Sequence, residues 1–437
     1  MSKLVTLTGR RGPAHHGYRA SRYTHLVPLE NGSTLAWNAL GADLSVWSAS
    51  EVAAYQALSA TDAAPPDPAF LERMVRGRHI CKEAIDEVEV VRSLYDRERY
   101  GSTALTLTHF VRGAEWGAPQ EPMTAAVRAG VAGLALAAAS GLTKIEAVYA
   151  GHEPLAALGA VADLSLRLAE LAAAQRIRYV GAVHTDGEAL TPPVAGKLPA
   201  LEIRHVVLRV RTRGGPGSLD RTTEHLRAAL ALGQLAFHVR LEVDRDRPEL
   251  AGQALEQLAG AASTSARQPA LSLGTDPFRS CHVHTELSAS PEHEAAILEQ
   301  AHRLGFAVQP LPRFLSQCQA TKYLSYAVAP NGDLHKCWNT VTRTEMRSAN
   351  VCEPRTLHMP SAHRQRWMFW DPFTDAVCRD CSLLPLCAGR CADLFPEDAA
   401  SRPDDGTRPC PPAKHDLRER LLAAARMKDL LDWRPHG

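Results

Sequence analysis

Residues 377–391 read VCRDCSLLPLCAGRC. Cys378, Cys381, Cys387 and Cys391 give the pattern C-x2-C-x5-C-x3-C, four of the chain's ten cysteines within fourteen residues. Thiolates at this density are metal ligands, because a short C-x2-C loop chelates one site, and both iron–sulfur clusters and zinc use it. Further upstream, Cys318 and Cys337 give C-x13-G-x4-C, with Gly332 inside the turn NGD between two strand-like runs. Cys410 follows downstream. One or two clusters of the [4Fe–4S] type need four ligands each, which fits seven or eight cysteines. Zinc is the alternative that spacing alone leaves open.

The rest of the chain divides into three regions. Residues 1–98 hold a hairpin, HLVPLENGSTLAWNAL, with ENGS at its turn, then a helix SASEVAAYQAL capped by Ser48 or Ser50. This predicts a small sheet-plus-helix domain. Over residues 99–310, strand-like runs alternate with Ala/Leu-rich helical stretches. ALTLTHF, IEAVYA, IRYVGAVHT, RHVVLRVR, AFHVRLEV and ALSLGT are the strands. That rhythm predicts an α/β fold of parallel βα units, an open or partial barrel with function at the carboxyl ends of its strands. In residues 311–437 the rhythm stops, and eight of the ten cysteines fall there.

Charge and targeting narrow the classes. The formal net charge is +1, so no global field favours nucleic acid or an anionic membrane. The opening MSKLVTLTGRRGPAHH has no apolar run of signal-peptide kind, and VAGLALAAAS is too short to span a bilayer. A cytoplasmic protein is expected, in which dense cysteines are ligands and not a disulfide framework.

The cysteine pattern resembles the SPASM domain that closes many radical SAM peptide-modifying enzymes. SRYTHLVPLENGSTLAWNALGADL, the CWN after the turn, WDPFTDAVCRDCSLLPLC and CPPAKHDL resemble the same group. The resemblance implies a partial (β/α)6 radical-SAM-like barrel over residues 99–310, an N-terminal domain over 1–98 that is a candidate for binding a peptide leader by strand addition, and an iron–sulfur SPASM domain over 311–437. It implies that Cys378, Cys381, Cys387 and Cys410 hold an outer cluster. Cys318, Cys337 and Cys391 would hold an inner one, with Cys352 or Cys281 as candidates for its fourth ligand. AGHEPL at 150–155 is similar to the motif G-G-E-P, whose glutamate and backbone hold the amino group of S-adenosylmethionine. VHTDGEAL at 183–190 is similar to the family's next strand end.

One part is missing. A radical SAM enzyme carries C-x3-C-x2-C after its first barrel strand, and the open iron of that cluster delivers the electron that cleaves S-adenosylmethionine. The corresponding stretch, LTLTHFVRGAEWGAPQEPM, has no cysteine, and none lies between Cys81 and Cys281. His109 is the imidazole near this loop, and a lone histidine at a strand end is read as structural. In the second motif, Ala150-Gly151 stands for the glycine pair and His152 is inserted before Glu153; Asp186 stands where the family has asparagine. Arg209, Arg211 and Arg213 alternate along RVRTRGGPG and share one strand face, either to meet an anion or acidic peptide or to face solvent.

These readings combine into a non-catalytic, iron–sulfur-binding partner of an active radical SAM enzyme or another maturase acting on a ribosomally made precursor peptide. Glu153 is then a vestige of the S-adenosylmethionine site, and S-adenosylmethionine binding is not expected. Two alternatives remain open: repurposed non-radical chemistry by His152, Glu153, His184 and Asp186, and a scaffold or sensor that its clusters only stabilise. Anaerobically prepared protein should contain about eight iron and eight acid-labile sulfide per chain. About twelve of each would reveal a core cluster, and zinc without sulfide would replace the reading.

Overall fold

The computed structural model describes residues 17–58, 67–101, 103–113, 121–212, 219–244, 246–263, 267–274, 290–311, 318–358, 361–389 and 413–431. The chain forms two compact units. One comprises residues 1–98, 309–317 and 371–437, and the other residues 99–308 and 318–370.

The first unit begins with β1 (Tyr18–Ala20), β2 (Thr24–Pro28), β3 (Thr34–Asn38) and β4 (Leu44–Trp47). β2, β3 and β4 form an antiparallel meander. Its first turn is built by Asn31, whose side chain accepts the Ser33 N–H at 3.0 Å, and by Gly32 at φ +81°. Helix α1 (Ala49–Ala57) starts in a capping box: Ser48 Oγ accepts the Glu51 N–H while Glu51 accepts the Ser48 N–H at 2.8 Å. α2 (Pro68–Arg76), β5 (Ile80–Lys82) and α3 (Glu87–Tyr100) follow. Strand alternation sends Leu26 and Ala36 to one face, where they pack with Tyr55, Phe70 and Met74. Val27, Leu35 and Trp37 take the other face, with Val91 and Tyr95 of α3. Asn38 is fully buried. Its Nδ2 donates to Arg78 O at 2.7 Å, Thr24 Oγ1 at 3.0 Å and Ser21 Oγ at 3.1 Å, and its Oδ1 accepts from the Leu40 and Gly41 N–H groups.

The second unit is an α/β layer built on a ten-stranded, mostly parallel sheet. Its strands are β6 (Ala104–Phe110), β7 (Lys144–Ala150), β8 (Arg178–Thr185), β9 (Ile203–Arg211), β10 (Ala236–Glu242), β11 (Ala270–Leu273), β12 (Ala307–Val308), β13 (Ser325–Val328), β14 (Asp333–His335) and β15 (Ala349–Asn350). The connecting helices are α4 (Ala125–Ala137), α5 (Leu158–Ala174), α6 (Pro192–Lys197), α7 (Asp220–Ala231), α8 (Leu250–Ala262) and α9 (Pro291–Arg303), with α10 (Ala362–Met368) closing the unit. β6 to β12 neighbour one another in chain order, all parallel. Each of the six runs expected as strands forms one. β13 joins β6 in parallel, and the β13–β14 and β14–β15 pairs are antiparallel.

One face of this sheet lies against helices. Tyr149 and Tyr179 point there, their hydroxyls 2.9 Å apart and Tyr179 2.8 Å from Ser165 of α5. Register carries the same face through Val183, Val206 and Phe237. His109 pairs with Tyr149, so it shares this helix-side face; its ring stacks on Tyr149 at 5.5 Å, and burial pushes its pKa down to about 3. The opposite face carries Phe110, Ala150, His184, Val207 and His238 at one level.

The first unit is completed by two one-turn helices, α11 (Ala376–Arg379) and α12 (Leu384–Cys387), and by α13 (Ala413–Met427). Leu384 and Leu386 of α12 and Leu417, Leu421 and Ala425 of α13 enter the same core as Trp37 and Tyr95. Gly389, at φ +78°, lies so near Pro372 that an added Cβ would overlap its ring at 1.9 Å. Asn38→Ala leaves two buried N–H groups, a carbonyl and two hydroxyls short of a partner and should cost about 3 kcal/mol or more in chemical denaturation. A loss under about 1 kcal/mol would show that this network does not organise the meander.

Candidate functional site

The carboxyl ends of β7 and β8 hold the residues that the sequence singled out. After β7 the chain turns sharply: Gly151 takes φ +104°, and a Cβ there would stand 2.2 Å from the carbonyl oxygen of Gly113. The segment after β6 therefore lies directly on Gly151, and the His152 N–H donates to that same carbonyl at 2.9 Å. Only glycine permits this approach. Glu153 follows in a left-handed conformation, φ +33°, which a residue with a side chain rarely adopts. The backbone turn aims its carboxylate at β8.

Both carboxylate oxygens of Glu153 lie 2.9 Å from the Thr185 hydroxyl, and Oε2 accepts the Asp186 N–H at 3.1 Å. Thr185 Oγ1 in turn accepts the Gly187 N–H at 3.0 Å. Asp186 Oδ1 accepts the Glu188 N–H, and its carbonyl accepts the Thr222 hydroxyl at 3.3 Å. His225 Nδ1 donates to the Gly187 carbonyl at 2.8 Å. Gly187, at φ +92°, sits where a Cβ would press within 2.9 Å of Leu208 and Thr222. The loop after β8 is thus clamped onto α7. Burial, the hydrogen bond with Asp186 and the charge of Asp186 together push the Glu153 carboxyl up to about 8.

Of the four polar candidates, the structure brings Glu153 and Asp186 into direct contact. His152 shares the turn but makes no side-chain hydrogen bond among the described residues. His184 lies on the sheet face opposite to Val183 and Thr185, where its ring lies 5.8 Å from Trp338; Trp338 also meets Phe110 edge-on at 6.0 Å. Thr185, Thr222 and His225 were not singled out from sequence. Thr185 lies inside the quoted run VHTDGEAL, beside two residues that were. Trp338 is the residue after Cys337 and lies in the quoted CWN.

The thiols are distributed over both units. In the first, the Cys378 N–H is capped by Asp375 Oδ1 at 3.0 Å, the Cys381 N–H donates to Cys378 O at 3.1 Å, and Cys387 ends α12. All three are half-buried. In the second unit, Cys318 precedes a short turn and Cys337 follows β14. Gly332 takes φ +89° in the turn between β13 and β14, as the spacing indicated. Lys336, next to Cys337, is almost fully buried. Its ammonium donates to the carbonyls of Ser325 at 2.7 Å, Tyr323 at 3.3 Å and Lys322, fastening β14 to the segment that follows Cys318. Burial pulls its pKa down to about 7. Cys352 is exposed and positioned by Asn350, whose Oδ1 accepts its N–H at 2.8 Å. Cys281, Cys391 and Cys410 lie outside the described residues. The donor chemistry, thiols alone, suits an iron–sulfur cluster. Among the described residues no group of three His, Cys, Asp or Glu side chains is arranged to hold a metal ion.

No protein-family model matches the chain, and no curated protein matches it. Solved structures do. "Native anSMEcpe with bound AdoMet" aligns with a TM-score of 0.52 at 12% identity, over 75% of this chain and 98% of that one. "Native anSMEcpe with bound AdoMet and Cp18Cys peptide" aligns at 0.50 and 12%, over 75% and 98%. At this identity the likeness is one of fold. The fold is radical-SAM-like, as the sequence resemblance implies. No helix among the described residues is long and apolar enough to cross a membrane.

The Glu153 carboxyl binds its proton more tightly in the folded chain than an ordinary carboxyl does, so its contribution to stability is full at low pH. That contribution falls as pH rises from the ordinary carboxylate range towards about 8. Glu153→Gln should remove this decline, read as a flatter Tm against pH between 5 and 8. An unchanged slope would place the titration elsewhere.

Proposed function

We propose that this chain is an iron–sulfur-binding relative of the radical SAM/SPASM proteins that no longer performs the radical step. In this reading it serves as the non-catalytic partner of an active radical SAM enzyme or other maturase, in the modification of a ribosomally made peptide. The observation that carries the reading is the state of Glu153. The carboxylate that would hold the amino group of S-adenosylmethionine accepts hydrogen bonds from Thr185 and Asp186 of its own chain. Two features agree with it: Gly113 covers the glycine of the same motif, and the stretch from Cys81 to Cys281 lacks cysteine between its ends.

In this reading Cys378, Cys381, Cys387 and Cys410 hold one [4Fe–4S] cluster. Cys318, Cys337 and Cys391, with Cys352 or Cys281, hold a second. Bound clusters would supply electron-transfer capacity and a cross-link that organises the loops around them. Asp375 accepts the Cys378 N–H, and Lys336, beside Cys337, is bonded to carbonyls of the segment after Cys318.

A second reading has its own support. A carboxyl pushed towards neutrality beside Asp186, near an imidazole at a strand end, is the kind of group that general acid–base catalysis uses. The two readings separate on reconstitution with the maturase that co-purifies with the chain. The partner reading expects peptide modification to need this chain and to survive Glu153→Gln. Modification that proceeds equally without the chain would overturn it. Loss on Glu153→Gln with the iron content intact would favour repurposed chemistry.

A further inference from the structure

Of the arginines noted on β9, Arg211 is exposed, Arg213 lies outside the described residues, and Arg209 is buried. Arg209 is 3% exposed, and its cross-strand partner in the β9–β10 register is Arg240. One step further along, Arg211 stands opposite Glu242, with Nε 3.0 Å from Oε2. These four side chains lie on the same sheet face as His184 and Val207, at the carboxyl ends of their strands. Arg211 is half exposed and Arg209 buried, so the group runs from the mouth of that face inward.

Three features give this group the character of a binding site. Two guanidinia at one register position repel each other, and an anion between them reverses that repulsion. The end of β11 makes room for one of them: a Cβ on Gly274 would stand 2.5 Å from Arg240 Nε. Glu242 is 7% exposed, and its Oε1 has no hydrogen-bond partner among the described residues although Oε2 is held by Arg211. A buried carboxylate oxygen in that state costs free energy until a donor reaches it. Burial raises the Glu242 carboxyl, while Arg211, Arg209 and Arg240 oppose the rise. The other carboxylate nearby, Asp244, is turned to Arg247 at 3.6 Å and accepts the Asp246 N–H at 3.0 Å. Each of the three arginines has interactions within the fold. The inference rests on their placement and on Glu242 Oε1.

We infer that Arg209, Arg211, Arg240 and Glu242 form a binding site for an acidic residue within a peptide, its carboxylate against the guanidinia and a neighbouring backbone N–H on Glu242 Oε1. A free dicarboxylate offers the first contact without the second. The inference needs neither cluster nor partner, so it stands or falls separately from the proposed function.

The test is calorimetric titration of the full chain with N-acetylated, C-amidated Gly-Glu-Gly-Glu-Gly. The Gly-Gln-Gly-Gln-Gly counterpart and succinate serve as comparison ligands. The acidic peptide should bind, and Arg211→Gln and Arg240→Gln should each weaken it about tenfold or more, the loss of one charge-assisted hydrogen-bond pair. The glutamine peptide should not bind. Arg211 lies at the exposed mouth, so Arg211→Gln keeps the test decisive if Arg240→Gln fails to fold. Absence of binding, equal binding of the glutamine peptide, or indifference to both variants would overturn the site. Succinate binding as tightly as the peptide would overturn the peptide assignment.

Discussion

A carboxylate in a left-handed turn holds the functional end of this fold together. Glu153 accepts the Thr185 hydroxyl and the Asp186 N–H, and so ties the carboxyl end of β7 to that of β8. The turn exists because Gly151 admits the Gly113 carbonyl where any side chain would collide. Beyond Asp186, the loop is held to α7 through Thr222 and His225. Parallel strands leave their carboxyl ends open, and ligands of α/β sheets bind in such places. Here Glu153, Thr185 and Asp186 at those ends are hydrogen-bonded to one another.

The same economy appears on the sheet face that carries Phe110 and His184. Trp338, carried there by the loop after β14, contacts both Phe110 and His184. Cys337 is its immediate neighbour, so the segment that bears a candidate cluster ligand also packs against the strand-end site. Lys336 anchors the other side of Cys337 through main-chain carbonyls, without a carboxylate. An ammonium in that setting is a structural staple: carbonyl dipoles and the Tyr326 ring, 4.8 Å away, replace its water.

Much of the architecture was legible because its signals are local. Asn31-Gly32 between alternating apolar runs marks the β2–β3 hairpin, and Ser48 with Glu51 marks the start of α1. The six strand runs of the parallel sheet are rich in β-branched and apolar residues between helical stretches. The parallel pairing of β13 with β6 was not legible, since residues more than two hundred positions apart meet there and a four-residue run carries no trace of its partner. In the site, Glu153 and Asp186 were found because short motifs contain them. Thr185 was missed because a threonine at a strand end is ordinary, and its role follows only from where the Glu153 turn points. The arginine stripe was visible as a period of two, but the burial of Arg209 was not, because its neighbour Arg240 comes from another strand.

The central claim is that the strand-end site no longer supports radical chemistry. Anaerobic incubation of the cluster-loaded chain with S-adenosylmethionine and dithionite, followed by chromatography for 5′-deoxyadenosine, tests it most directly. The account predicts none above a protein-free control. Formation of about one equivalent per chain or more would contradict it.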